Sequence, residues 1–521
     1  MPTNFTLLPV FEDKILIRIL KMISVFLFSL IIIFQILNIC LEYDDANHAT
    51  VAKNLAFGIG YASSYNSINL FPSGISVGYP FILPVAAAIK IFSNRLWVPG
   101  VATSAICLLL LLAAMYLPKK IKYITEKQLW IWRCVFMGLI IFAYNFKNTA
   151  SFVLKVGEIP RYNGAFSMML GEFPATLLVI ILAFALIVSE NRKSMYFIAG
   201  IIASLAFFMK TLSLISIAPL CAAYLFLNCG NLKSKFNFII FFMLGFLLPV
   251  IGWEIYKFII LDGFEKYFLL KKVDYEFFKK EGSGLDSRML LTTVDKIKSM
   301  IYEIGFLRFA LLVTLPLWIF VSRVFNKTNR NIDMLVCMLA GAVLTHTIWW
   351  IFFSGFGWLR HFLIGWGLFL TMISIFVFLI NDKNRYFYLV IIILFLTTPC
   401  SSRIDKMFLN LNKSYISVQM SKNQDLFEAR DFIINNRQYR YYGAGWWANR
   451  RLEYILPYVN NFSDALDPQQ FNPSVKNKVI VRDVEYWNWE KDPNIEKIRR
   501  QSEKNIIFKN KSYVMSLYIE E

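Results

Sequence analysis

The acidic segment Leu41-Glu42-Tyr43-Asp44-Asp45-Ala46-Asn47-His48 follows the first apolar run of the chain. The run before it, residues 22–40, is long enough to cross a bilayer as a helix, at about 1.5 Å per residue. Acidic side chains are costly to desolvate where a spanning helix meets water, so their presence needs a reason. Two interpretations fit: the acids mark the solvated end of the helix, or they face a catalytic cavity in the membrane.

The whole chain is too apolar for an ordinary soluble protein. Of its 521 residues, 57% are hydrophobic and 17% are charged, and the charges cluster between apolar runs. We therefore expect an all-α polytopic membrane protein with about eleven transmembrane helices. The net charge of +19 does not indicate nucleic acid, because no compact basic domain or base-stacking motif accompanies it. It fits basic loops and contacts with anionic membrane lipids.

The short loops between the predicted spans indicate the orientation. Alternate loops, such as 119–127 and 323–330, are short and mostly basic, and the amino terminus carries basic residues as well. The positive-inside rule places these segments in the cytoplasm. It leaves the loops 42–95, 147–172 and 262–303, with the carboxyl-terminal tail, on the outer face of the membrane.

The composition divides the chain into two predicted domains. Residues 1–399 form the membrane domain, and residues 400–521, which contain no spanning run, form a small α/β domain on the outer face. Local patterns in the tail predict strands at 438–447 and 479–484, a hairpin at 506–518 and a helix at 425–435. In the outer loops, 79–92 predicts an interfacial or re-entrant helix and 262–303 predicts short amphipathic helices.

Carboxylates that could take part in a reaction occur on the predicted outer side. Asp44 lies at the exit of one predicted span and Glu172 at the entry of another. Such a pair consists of two ordinary interfacial acids, or it shares a metal, or it flanks a nucleophile. Asp44 and His48 are four residues apart and share one face if the segment is helical, which suits a metal pair but supplies no third ligand.

Cationic residues accompany these acids. Lys210 lies between two apolar runs, where a lysine either snorkels to the interface or offers its charge to an anion. Arg360 and His361 occupy a predicted outer turn, and the arginine suits either a bidentate phosphate contact or pairing with lipid head groups. His346 is predicted to pack between helices with its hydrogen bonds satisfied.

Taken in order, these segments resemble the GT-C superfamily of membrane glycosyltransferases, which includes protein O-mannosyltransferases and lipid A aminoarabinose transferases. The matching segments are the acidic opening with the turn that follows it (43–61), the Gly/Pro-rich approach (78–84) and the second acidic outer loop (171–175). Two further matches are the span that ends in Lys-Thr (199–211) and the late Arg-His (357–361). The approach lacks the His-Pro-Pro or Lys-Pro-Pro-Leu form of the best-known members, which leaves the acceptor class open.

The resemblance implies an inverting transfer of a hexose or pentose from a polyprenyl-phosphate donor. The acceptor is a glycolipid, a cell-envelope glycan or a protein. The general base would be Asp44, and Asp45 and Glu172 would shape the site or hold a metal. For a divalent ion, Mg²⁺ or Mn²⁺, the ligands would be Asp44, Glu172 and His48.

The resemblance also implies a binding site for the donor phosphate, made of Arg360, Lys210, Arg161 and His361. It implies a multi-pass protein of a bacterial inner membrane, with a cytoplasmic amino terminus and a periplasmic or extracellular tail. Two other functions stay open. A transporter or flippase for lipid-linked sugars also needs many spans and a cationic path, but we find no repeated halves. The third is a non-catalytic membrane protein whose outer tail is the working part.

Overall fold

The structure is a computed structural model, and it describes most of the chain. The described residues are 7–37, 41, 43–63, 70–72, 77–122, 124–144, 169, 171–228, 232–277, 279, 292–325, 330–354, 359–379, 385–397, 413–443, 446–457, 462–464, 477–484 and 505–518.

The described residues are mostly helical. Their α-helices, in chain order, are α1 Leu7–Leu37, α2 Tyr43–Ala56, α3 Tyr79–Phe92, α4 Val98–Tyr116, α5 Glu126–Ala143, α6 Glu172–Val188, α7 Lys193–Met209, α8 Leu214–Asn228, α9 Leu232–Leu261, α10 Phe264–Phe277, α11 Thr293–Ile304, α12 Phe306–Phe325, α13 Arg330–Phe352, α14 Leu359–Ile375, α15 Arg385–Leu396, α16 Lys413–Asn435 and α17 Trp446–Ile455. Short 3₁₀ turns occupy Leu117–Lys120, Thr211–Ser213 and Phe376–Leu379.

The chain divides into two compact units. The first unit comprises Met1–Ile36, Ser104–Phe166 and Gly171–Cys400, and the second comprises Leu37–Thr103, Ser167–Leu170 and Ser401–Glu521. The outer loop 42–95, which the sequence assigned to the membrane domain, therefore groups with the carboxyl-terminal tail. The predicted division into two domains at residue 399 stays a prediction, and the first unit ends at Cys400.

Two fully buried helices form the core of the first unit. Residues Glu172 to Ile187 of α6 are buried, and so is nearly all of α14. A helix that is apolar on every side is stable when other helices or lipid surround it. Helix α14 packs against α5, α6 and α13, which supply that surrounding.

A close crossing of α7 and α9 depends on two glycines. A Cβ atom added at Gly200 would collide with the carbonyl oxygen of Phe242, and one added at Gly245 would collide with that of Phe197. Small residues let helix backbones approach in this way inside a membrane. Helix α9 also exposes large apolar side chains such as Leu248 and Ile259, as a lipid-facing helix does.

The described helices are those of a multi-pass membrane protein. Six of them are long and apolar enough to cross a membrane, and the bent pair Thr293–Ile304 and Phe306–Ser322 would make a seventh. Further apolar helices, among them α6 and α7, are shorter. The predicted count of about eleven spans stays a prediction. The predicted short helices of 262–303 are present as α10 and α11, and α11 has the predicted amphipathic character, with Met300 and Ile304 on its buried face. Helix α3 has the predicted bounds of the short helix.

The second unit contains a five-stranded mixed sheet. Its strands are β1 Arg440–Gly443, β2 Phe462–Asp464, β3 Lys478–Asp483, β4 Ile506–Lys509 and β5 Tyr513–Leu517, in the order β2-β1-β3-β5-β4. Strand β1 pairs in parallel with β2 and β3, whereas β5 pairs antiparallel with β3 and β4. The buried core of the sheet includes Tyr441, Ile480 and Met515. The predicted α/β character of the tail is confirmed.

The tail also differs from its prediction at two places. The strand predicted over 438–447 ends at Gly443, and the helix α17 begins at Trp446. The two tryptophans favour a strand locally, but Leu452, Ile455 and Leu456 recur at helical spacing and are buried. The parallel strand β2 was not predicted, because three residues carry almost no periodic signal. The hairpin of β4 and β5 and the helix α16 are confirmed, with α16 longer than predicted.

Candidate functional site

A carboxylate occupies the first position of α6 in the first unit. Gly171, the residue before the helix, has φ +80°, a left-handed conformation that glycine adopts without strain. Glu172 follows as the first helical residue, where the dipole of the helix stabilises a negative charge. Its side chain is buried.

Lys210 is the partner of that carboxylate. The residue lies between α7 and the turn Thr211–Ser213, with extended backbone angles, and its N–H donates to the carbonyl of Ala206 at 3.0 Å. Its Nζ atom lies 2.9 Å from Oε1 of Glu172, and the two side chains are only 6% and 4% exposed. Lys210 therefore does not snorkel to a surface of the first unit. Its charge is compensated inside the unit by Glu172.

A polar chain continues from Glu172 towards α5. The Oγ1 of Thr176 donates to the carbonyl of Glu172 at 2.7 Å and lies 3.4 Å from the hydroxyl of Tyr144. Gly367 of α14 contacts both side chains closely, because a Cβ atom there would come within 2.8 Å of the Tyr144 ring. The start of α6, the end of α5 and the middle of α14 are thus held together around the buried ion pair.

The start of α14 carries the second predicted cationic group. Arg360 and His361 lie in its first turn and are half-buried. The N–H groups at a helix start attract anions, so an arginine at that place adds to an already positive region. His346 is fully buried: its Nδ1 lies 2.9 Å from Ser216 Oγ and its Nε2 lies 3.1 Å from the carbonyl of His361. It is a satisfied packing residue, as predicted.

Lys296 belongs to the same region and was missed on sequence. It is fully buried on α11, and its Nζ donates to the carbonyls of Ile351 and Ser354 at 3.3 and 2.6 Å. It thereby satisfies the carbonyl end of α13. A signal existed in the sequence, because Lys296 shares the helical stripe of Met300 and Ile304.

In the second unit, the predicted catalytic segment forms α2. Asp45 and His48 are buried on this helix, together with Asn47 and Asn54, although the helix is polar in composition. The segment 43–56 is helical, so Asp44 and His48 lie on one face, as their spacing requires. The structure describes the backbone of Asp44 but not its side chain.

Lys53 is the second functional candidate that sequence reasoning missed. It is 1% exposed, and its Nζ donates to the carbonyls of Glu453, Tyr454 and Leu456, the last two at 2.8 and 3.0 Å. Burial lowers the pKa of its amino group to about 7, and the nearby Glu453 carboxylate opposes part of that shift. No local sequence pattern marks such a contact, because its partners lie in the tail.

The predicted metal site of Asp44, Glu172 and His48 stays a prediction, because the side chain of Asp44 lies outside the described residues. The part of the chain that the structure describes holds no group of three or more His, Cys, Asp or Glu side chains that could bind a metal ion. The Glu172 carboxylate is already paired with Lys210, and burial would make its release costly. Arg161, predicted for phosphate binding, lies outside the described residues.

Comparison with known proteins finds a similar fold but no sequence relative. No protein-family model and no curated protein matches the chain. A crystal structure of ArnT from Cupriavidus metallidurans bound to undecaprenyl phosphate is similar over 95% of this chain and 98% of that chain, with a TM-score of 0.57 and 8% identity. The structure of the same protein in the apo state gives a TM-score of 0.43 at 9% identity, over 95% and 97% of the two chains. The first likeness shows that this chain shares its fold with that protein.

Proposed function

We propose that this chain is an integral membrane glycosyltransferase that moves a sugar from a polyprenyl-phosphate donor to an acceptor on the extracytoplasmic face. The observation that carries the proposal is the fold shared with ArnT, whose crystal structure holds undecaprenyl phosphate. Buried and half-buried charged residues at the starts of α2, α6 and α14 supply the chemistry. We propose that the protein lies in the plasma membrane of a bacterium, with its amino terminus in the cytoplasm.

In the proposed reaction an acceptor hydroxyl attacks the anomeric carbon of the donor sugar. Its proton passes to the carboxylate of Asp44, the general base, as the new C–O bond forms. The bond between the anomeric carbon and the phosphate oxygen breaks, and its electron pair leaves with the polyprenyl phosphate. Attack from the face opposite the leaving group inverts the configuration. Hexose and pentose donors are both compatible with this chemistry.

The leaving phosphate gains negative charge, and cations must stabilise it. We assign this role to Arg360, and we propose Lys210 and His361 as further members of the site. Arg161 is included on the resemblance alone. Arg360 is the strongest candidate, because it stands at a helix start, where backbone N–H groups attract phosphate as well. Lys210 contributes less free charge, because Glu172 neutralises it.

Carboxylates other than Asp44 have a supporting role in the proposal. Glu172 orients Lys210, and Asp45 shapes the acceptor side of α2. Among the described residues the Glu172 carboxylate is already paired with Lys210. The proposed mechanism uses charged side chains, and its steps involve no divalent ion.

A transfer assay with the purified protein tests the proposal. Radiolabelled undecaprenyl-phosphate hexose and undecaprenyl-phosphate pentose are each supplied with a bacterial lipid and envelope extract. Label that moves to an acceptor, with release of undecaprenyl phosphate, supports the transferase and shows which sugar is used. Label that stays on its lipid but changes leaflet in proteoliposomes contradicts it and favours the flippase. The absence of both transfer and leaflet exchange also contradicts the proposal.

A further inference from the structure

Helix α2 and the carboxyl-terminal tail are joined by an unusual buried contact within the second unit. The amino group of Lys53 points into the carbonyl end of α17 and donates to three of its carbonyl oxygens. Carbonyls at the end of a helix have no partner within the helix, and a cation there also suits the helix dipole. Lys53 thus performs for α17 the capping function that a residue of the same helix usually performs.

Neighbouring contacts extend the same junction. Arg450 of α17 forms an ion pair with Glu453 at 2.9 Å and lies 3.4 Å from the carbonyl of Ser63. Asn94 donates to the carbonyl of Tyr454 at 3.0 Å, and the Tyr454 hydroxyl donates to the carbonyl of Arg95 at 3.0 Å. Helix α17 therefore contacts the segment 53–95 on several sides.

The orientation of α2 follows from this arrangement. The helix is short and polar, and such a helix has little stability of its own. Its amino-terminal end bears Asp44 and Asp45, and its carboxyl-terminal end is fixed at Lys53. A side chain fixed by hydrogen bonds at one end of a rigid helix holds the other end in place.

We propose that Lys53 is a positioning residue, which anchors α2, and with it Asp44 and Asp45, on the carbonyl end of α17. The effect on transfer rests on the function proposed above, but the anchoring itself does not. The carboxyl-terminal tail is then a scaffold for the catalytic helix. It is not an independent appendage.

Hydrogen–deuterium exchange of the full-length protein tests the anchoring without any need for activity. Lys53→Met keeps the length of the side chain but cannot donate a hydrogen bond. We expect exchange in 43–63 and 446–457 to rise by about tenfold or more, with strands β1 and β3 unchanged. Lys90→Met, an exposed lysine of α3 in the same unit, is the matched control and should behave as the wild type.

Two results would overturn the anchoring. One is wild-type protection of 43–63 in Lys53→Met, and the other is a uniform rise of exchange throughout the chain, which indicates general destabilisation. If Lys53→Met does not accumulate in the membrane, the same exchange measurement is made on Lys53→Gln. Glutamine keeps an amide NH2 group that donates hydrogen bonds, so exchange should rise less in the same two segments.

Steady-state kinetics tests the consequence for the reaction. As a positioning residue Lys53 acts through Asp44, so kcat should fall by about tenfold or more in Lys53→Met, while KM for the donor stays within about threefold. A rise in KM with unchanged kcat would contradict the positioning role. If the wild type transfers no sugar, the proposed function fails, and the exchange experiment still decides whether Lys53 anchors α2.

Discussion

The Nζ of Lys210 and the Oε1 of Glu172 lie 2.9 Å apart in a region where both side chains are almost fully buried. Because charges are costly to bury, each residue makes the burial of the other tolerable. This pair joins two residues that the sequence suggested for separate tasks, a carboxylate for the reaction and a cation for the phosphate.

Removal of one member of this pair should destabilise the protein strongly. We expect Glu172→Gln and Lys210→Met each to lower the free energy of unfolding by about 3–5 kcal/mol, because the remaining charge loses its buried partner. The double variant should be more stable than the sum of the single effects predicts. Thermal unfolding of the purified variants measures this, with the exposed Lys272→Met as control. Strictly additive effects would show that the pair does not act as a unit.

The crossing of α7 and α9 predicts a sharp difference between two glycines of the same helix. In Gly245→Ala the new methyl group meets the carbonyl of Phe197, and we expect a cost of about 1–3 kcal/mol. In Gly252→Ala the methyl group has no atom within 4 Å, so the melting midpoint should stay or rise slightly. Equal midpoints for the two variants would contradict the close packing.

The buried amino group of Lys53 predicts a pH dependence of stability. Its pKa is about 7 in the folded protein against 10.5 ordinarily, so between these values the unfolded chain binds more protons. Stability attributable to this group should therefore rise with pH above 7, by up to about 1.4 kcal/mol per pH unit, and be flat below it.

The difference between wild type and Lys53→Met isolates that contribution, since other groups cancel. The ionisable groups beside Lys53 are Glu453, Arg450 and Tyr454, and all are retained in the variant. The gap in melting midpoint should widen in favour of the wild type between pH 7 and 9. A gap that is constant or narrows over this range would contradict the assignment.

Arg360 predicts a donor-specific defect. If it binds the donor phosphate, Arg360→Ala should raise KM for the polyprenyl-phosphate sugar and lower kcat/KM by about 10²-fold or more, the cost of a charge-assisted contact that strengthens as the phosphate leaves. Arg360→Lys should recover only part of the loss, because lysine cannot bind in a bidentate way. The exposed Arg437→Ala serves as control. An unchanged KM for the donor in Arg360→Ala would remove it from the phosphate site.

Much of the fold was predictable because the residue pattern within a segment indicates its secondary structure. The apolar runs predicted the helices α4 to α9 and α12 to α15 within a few residues, and alternating residues around Lys509-Asn510-Lys511 predicted the β4–β5 hairpin. The α3 helix followed from its short apolar run and its flanking prolines. In these cases the signal lies within the segment itself.

The rest depends on contacts between distant segments. Lys53 and Lys296 read as ordinary surface lysines, but the structure uses both to satisfy the carbonyl ends of other helices. The pairing of Glu172 with Lys210 was equally hidden, because each residue fits a functional role when read alone. The first two residues of α17, Trp446 and Trp447, were predicted as the end of a strand, because tryptophan favours strands when the neighbours are unknown.

The central claim, sugar transfer with Asp44 as the general base, is tested most directly by the rate of transfer in Asp44→Asn. Asparagine has nearly the same size but cannot accept the proton, so the account predicts that transfer from an undecaprenyl-phosphate sugar falls by about 10²–10⁴-fold, while membrane insertion and melting midpoint stay as in the wild type. Glu265→Gln, an exposed acid of α10, should keep full activity. Turnover of Asp44→Asn at the wild-type rate would contradict the assignment of the base and the mechanism built on it.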